Sequence, residues 1–448
     1  MDTTVMPPAT QSPIPTAVKP SHQRWLEAFT ARPDLLQGPD RLVEFRRAAL
    51  DRLGRTSFPT RRDEDWRYSD FTKALSLGYT LEDALAPQFN RAGFEIPEFH
   101  GYVLVTVDGV YRPEFSDTVP GIYVSTVEQA VSTEPYAFFL DRTLAELSAP
   151  SANAFVALNA AFAKTSLFIA GVKNERCDLP IHIIHVATRA STPRMVCSQV
   201  MVMMPQGADI TIDETFETVG EGDLIFRNHL VRAGIASQAM LAYRSLQLES
   251  TKDYHYSNCE VDQQGGSRFD HARVDMGGAQ VRNNLSVHHK AAGLETRLAG
   301  FYFARGTQRI DNQTYIDHAF PHGESNELYK GIVMDRGVTS FNGKVMVRPD
   351  AQKTNAFQQN DNLVVGKQAE ANAKPQLEIF ADDVKCSHGA TIGQLDEGPL
   401  YYLMARGIDR GTALGMLQRG FLLEVLETIE NEAIRAHVES LLMDKFND

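Results

Sequence analysis

Apolar residues fall at steps of three and four near both ends of the chain and at steps of two through its middle, a contrast that predicts where helices give way to strands. After a proline-rich stretch at 1–20, expected to be a disordered tail, the segments HQRWLEAFTARPDLLQG and DRLVEFRRAALDRLG read as helices ending on Gly38 and Gly54. The second places Leu42, Phe45 and Leu50 on one stripe. Within 21–175 the helices share space with strand: YVLVTVDGVY alternates Val103, Val105 and Val107 with Leu104 and Thr106, next to an Asp-Gly turn signal at 108–109. This first region is therefore helical with an α/β part.

From 176 to 395 the helical period disappears. Segments such as LPIHIIHVAT, SQVMVMMPQGADITI and AQVRNNLSVHH are punctuated by Gly, Asn and Asp. About 220 residues of strand with no intervening helix leave a sandwich, a barrel or a β-helix. Asn283, Asn312 and Asn342 recur at steps of 29 and 30, and Asn283 shares strand parity with Val281, Leu285 and Val287. Inward-facing asparagines on stacked turns can hydrogen-bond to one another, which favours a parallel β-helix core and a mainly β protein. Residues 396–448 return to helical period: Asp409 is a candidate N-cap, and Leu414, Leu417, Phe421 and Val425 form an apolar stripe continued by Ile434, Val438 and Leu441. Such a stripe either packs on its own chain or docks another protein.

Composition narrows the function classes. The 448 residues are 43% hydrophobic and 23% charged, as in an ordinary globular protein, and the net charge of −13 is spread without a basic cluster. Nucleic acid is not an expected partner. No run approaches the roughly 18 apolar residues a spanning helix needs, and the first twenty residues lack the cationic start and apolar middle of a leader, so a soluble cytoplasmic protein is expected. The four cysteines, Cys177, Cys197, Cys259 and Cys386, lie 20, 62 and 127 residues apart with no CxxC pair. That spacing disfavours structural zinc or a stable cluster held by this chain alone.

The chemistry-bearing motifs thin quickly. Gly343-Lys344 is followed by Val345 and Gly366-Lys367 by Gln368, so neither is a P-loop, and the common dinucleotide and hydrolase fingerprints are missing. His182 with His185, and His288 with His289, should point to opposite faces of a strand and make poor chelates. His318 and His322, in the loop DHAFPHGES, could converge on a metal. In LEIFADDVKCSHGATIGQLD the pair Asp382-Asp383 breaks the alternation and implies a turn, after which Val384, Cys386 and His388 share one face. Cys386 and His388 then sit roughly 7 Å apart at Cα, within reach of one soft metal. Two ligands are too few, so a working site there needs a second chain. The bland alternative is a small core cysteine beside a surface histidine.

The stretch 284–425, including HHKAAGLETRLAGFYFARGTQRIDNQTYIDH, SFNGKVMVRPDAQKTNAFQQNDNLVVG and ADDVKCSHGATIGQLDEGPLYYLMARGI, resembles the SufB/SufD family of the SUF iron-sulfur cluster assembly system. RRDEDWRYSDF at 61–71 and KCSHGATIGQLD are similar to the SufD branch, and FVALNAAFA at 155–163 resembles the family's lead into its β region. The resemblance implies a non-catalytic scaffold with a β-helix core that pairs with SufB, and C-terminal helices around Leu414, Leu417, Phe421 and Val425 that dock the SufC ATPase. It also implies a transient iron-sulfur cluster at the SufB interface, held in part by His388 and Cys386 with the remaining ligands from SufB. A homodimeric metal-binding protein using Cys386 and His388 from two copies is the rival reading, and the isolated chain is itself a possible homodimer.

Overall fold

The computed structural model describes residues 21–81, 89–147 and 153–447; the expected tail at 1–20 lies outside them. Successive strands of the middle region alternate between two sheets and pair in parallel with the strand one turn later, building a parallel β-solenoid of about 8 turns. One sheet runs from Tyr102–Val107 through Ile181–Thr188, Asp209–Val219, Met240–Gln247 and onward to Lys385–Gly393. The other runs from Tyr123–Thr126 through Leu167–Ala170, Arg194–Met204 and Ile225–Ile235 to Val338–Val347, which carries the short strands Glu370–Ala373 and Gln376–Ile379. Because Tyr102–Val107 pairs in parallel with Ile181–Thr188, the sheets cross the expected boundary at 175 without interruption.

Alternation explains which side chains fill the interior. Inward positions of both sheets, such as Ile183, Ile212, Val231, Leu241, Phe269 and Val287, form one continuous apolar core. The Asp-Gly signal is a hairpin turn as its residues require: Asp108 and Gly109 both have positive φ, 53° and 80°, and Val107 pairs with Val110 in antiparallel register.

The asparagine repeat is real but shorter than its spacing suggests. Asn283 faces Asn312 directly, and Asn283 Nδ2 donates to Asn312 Oδ1 at 3.0 Å while also reaching Asp275 at 2.9 Å. Asn312, however, faces Phe341 on the next turn, and Asn342 faces Gln313. The second step is 30 residues where the turn closes in 29, so Asn342 falls on the opposite face.

Helices cover the two sheets from outside. Trp25, Phe29, Leu42, Phe45, Ala49 and Leu53 of the N-terminal helices pack with Phe155 and Phe162 against Phe226 and Tyr256 of the second sheet; Leu50 lies at the margin of this stripe. The helix Ala154–Phe162 is buried throughout, and Asn153 caps it by accepting from Phe155 N and Val156 N. Trp66, from the 61–71 segment, stacks on Phe155 at 5.2 Å and lies under the Arg282 guanidinium at 3.7 Å, locking that segment to the solenoid.

At the other end, Glu397–Met404, Arg410–Leu426 and Glu432–Asn447 form the closing helices, the second capped by Asp409, which accepts from Thr412 N at 3.0 Å. Leu422, Val425, Ile429, Ile434 and Val438 pack on Val274, Phe301 and Ile332, the outer face of the first sheet.

Candidate functional site

Among the described residues the solenoid ends without a cap. Its last full strand, Lys385–Gly393, pairs on one side with Asn355–Val365 and closes the first sheet as an edge. The chain is turned into this strand at Asp382-Asp383: Lys353 N donates to Asp383 O at 2.7 Å, and Asp383 N donates to Gln352 Oε1 at 2.9 Å. That reversal sets the phase of everything after it. Cys386 falls opposite Ala356 and His388 opposite Gln358, both inward positions.

Cys386 therefore points at the last interior cluster, beside Val345, Val347 and Ala356, and is half-buried. Burial pushes its thiol pKa up, which works against the thiolate that ligates metal. His388 points the same way one step further along, where the interior is open, and it is exposed. Ile379 and Ile392, also at inward register positions, are 40% and 54% exposed for the same reason.

Behind His388 the register continues inward through Gln358 and Glu327 to Leu298. Gln358 Nε2 donates to Glu327 Oε2 at 2.6 Å, and burial pushes the Glu327 carboxyl up to about 7. The folded state holds that proton more tightly than the unfolded chain, so Glu327 lowers stability progressively as pH rises from the ordinary glutamate range through about 7. Glu327→Gln keeps the acceptor and removes the titration. Thermal melts are expected to show little change at pH 4 and a gain on the order of 2 kcal/mol at pH 8; equal effects at both pH values would contradict the assignment.

A cleft of about 630 Å³ lies beside the edge on the outer face of the first sheet, between Arg268, Asp270 and Arg297 on the strands and Glu424, Glu427 and Glu430 of the C-terminal helical region, and it reaches Ser387 and Gly389.

The structure separates several residues that the sequence suggested together. His318 is buried and meets Ser325 Oγ at 2.9 Å, with its ring 4.4 Å from that of His289, whereas His322 is exposed on the turn with φ 59°. These two do not converge. His182 and His185 are on opposite faces as expected, and both are fully buried. In the C-terminal stripe, Val425 is 1% exposed and occupied by its own core, and Phe421 packs there under Lys330, while Leu414 and Leu417 are half-buried. The apolar groups this helix does present are Met416 and Leu423, seven residues apart, and the preceding helix exposes Tyr401, Tyr402 and Met404. Gln358 and Glu327 were missed as neighbours of His388, although steps of 31 and 30 residues link Glu327, Gln358 and His388, close to the asparagine spacing.

Residues 19–183 match the family model described as the SufBD protein N-terminal region, and residues 185–421 match the one described as SUF system FeS cluster assembly, SufBD core domain. The chain is 29% identical over 394 residues to the iron-sulfur cluster assembly protein SufD of Escherichia coli, covering 87% of this chain and 89% of that one. It is 30% identical over 420 residues to the chloroplastic protein ABCI7 of Arabidopsis thaliana, covering 90% and 86%. A SufBD family protein of Synechocystis sp. is 29% identical over 402 residues, covering 87% of each.

Proposed function

Since this chain belongs to the SufBD family of the SUF iron-sulfur cluster assembly system, we propose that it is a SufD-type scaffold, which joins SufB at the uncapped end of its solenoid and contributes His388 to the site of the nascent cluster. The observation that carries this reading is the open end itself. A solenoid needs a polar cap or a neighbour on each terminal turn. Here the terminal turn exposes Ile379, Ile392 and a free strand edge, and the same edge presents His388. A partner turn stacked on this end, with one strand laid along Lys385–Gly393, would bury those isoleucines and place its own ligands opposite the imidazole.

Cluster is cargo here, so a ligand must bind and let go. A neutral imidazole does this more readily than a thiolate, because it donates less charge to iron. His388 is accordingly the main ligand from this chain, and Cys386, with its thiol held protonated by burial, is secondary. SufC docks on the apolar surface of Tyr402, Met416 and Leu423, and its ATP hydrolysis moves the two scaffolds relative to one another. No helix among the described residues is long and apolar enough to cross a membrane, and the proposed site of action is the cytoplasm.

Co-expression with SufB and SufC of the same organism tests the reading. A three-protein complex that assembles cluster is expected. Ile392→Asp places a charge where the partner's turn would stack, and it is expected to reduce SufB co-purification at least tenfold. An exposed substitution of this kind shifts the isolated chain's stability by only about 0.5 kcal/mol. A chain that forms metal-linked dimers of itself and ignores SufB would instead establish the homodimeric reading.

A further inference from the structure

Deep inside the solenoid, far along the chain from His388, three potential ligands meet. His185 and Glu214 stand on adjacent strands of the first sheet, and His229 reaches them from the second; all are fully buried. His185 Nε2 lies 3.4 Å and His229 Nε2 3.3 Å from the same oxygen, Glu214 Oε2, and the ligand atoms of all three are within 4.8 Å of one another. Among the described residues neither Nε2 has a hydrogen-bond partner. From these observations we infer a divalent transition-metal site formed by His185, Glu214 and His229, a first-row ion such as zinc(II) or iron(II) pinning the two sheets together from within.

The distances favour an ion over a simple network. Imidazole N–H groups donating to a carboxylate normally come to about 2.7–3.2 Å, and both contacts here are longer. Two ligands each about 2.0–2.1 Å from a shared tetrahedral ion lie roughly 3.3–3.4 Å apart. The opposite ring nitrogens are held as in metal sites: His185 Nδ1 meets Thr106 Oγ1 at 2.7 Å and His229 Nδ1 meets Ser198 Oγ at 2.8 Å, fixing which nitrogen faces the centre. Tyr243 donates to Glu214 Oε2 at 2.7 Å and orients the carboxylate. Phe216, stacked on His185 at 4.7 Å and edge-on to His229 at 4.8 Å, walls the site. Burial lowers the pKa of both imidazoles, keeping them neutral and able to ligate. Two imidazoles and one carboxylate, without sulfur, suit a borderline first-row ion.

This site is independent of the scaffold reading, since it uses none of the residues at the open end. A centre so enclosed loads as the turns close, so the test is refolding. The full-length chain is unfolded in chelator, refolded with cobalt(II) and freed of excess metal. About one cobalt per chain is expected to remain, with visible ligand-field bands, a raised melting temperature, and an X-ray absorption spectrum showing two imidazoles and no sulfur. His388→Ala and Cys386→Ser should keep the metal, while His229→Gln and Glu214→Gln should lose it. A refolded wild-type chain without cobalt overturns the site. So does sulfur in the absorption spectrum or cobalt retained by a folded His229→Gln, and the wild-type arms decide even if those variants fail to fold.

Discussion

His388→Ala is expected to leave the complex with SufB and SufC intact and to lower cluster yield on anaerobic reconstitution by tenfold or more. The asymmetry follows from its position. The imidazole is exposed and supports no core packing, so its removal should cost the chain little stability. As a ligand it should matter at least as much as the outer-shell partners of metal sites, whose loss typically costs about 10–100-fold in affinity or activity. His388→Cys separates ligation from shape: a thiolate should rebuild the cluster yet release it more slowly to an apo-acceptor, because it donates more charge to iron. Cys386→Ala should have a smaller effect, since burial already disfavours its thiolate. Normal cluster formation in the His388→Ala complex would remove this residue from the mechanism.

The largest loss of stability is expected from Glu249→Ala. Glu249 Oε1 accepts from Arg227 Nε at 2.6 Å, and Oε2 lies 2.6 Å from His255 Nδ1 and accepts from Gln247 Nε2 at 3.0 Å. The carboxylate, guanidinium and imidazole are fully enclosed. Truncating the acid strands the Arg227 charge in the interior, at a cost of about 3–5 kcal/mol. Replacing both ions removes the unpaired charge, so Glu249→Leu with Arg227→Met should be markedly more stable than Glu249→Ala alone. Urea unfolding of the three chains checks this; a double variant as weak as the single one would show that packing, and not charge, dominates there.

Much of this protein was legible in its residues because alternation and helical period are local. The positions of Val103, Val105 and Val107, the Asp108-Gly109 turn, the Asp409 cap and the strand phase that puts Cys386 and His388 on one face follow from neighbours a few residues apart. The family was readable from long matching segments, and the matches over 19–183 and 185–421 agree with it. Apart from the family resemblance, the β-helix was readable only from a repeat, and its asparagine evidence was partly accidental: Asn283 and Asn312 form a ladder, whereas one extra residue carries Asn342 to the other face.

The sequence by itself determined which segments are helix and strand, which residues within a strand share a face, and the family of the chain. Only the tertiary structure decided which turn lies on which. In a solenoid, residues about thirty positions apart become neighbours, so a shift of one in turn length exchanges inside for outside. That stacking joins His185 to Glu214 and His229 and not to His182, and puts Gln358 and Glu327 behind His388. It also claims Val425 for the chain's own core, because the outer face of the first sheet is apolar where the last helices land. Finally, it leaves the last turn uncovered, a property of where stacking stops that no local pattern encodes.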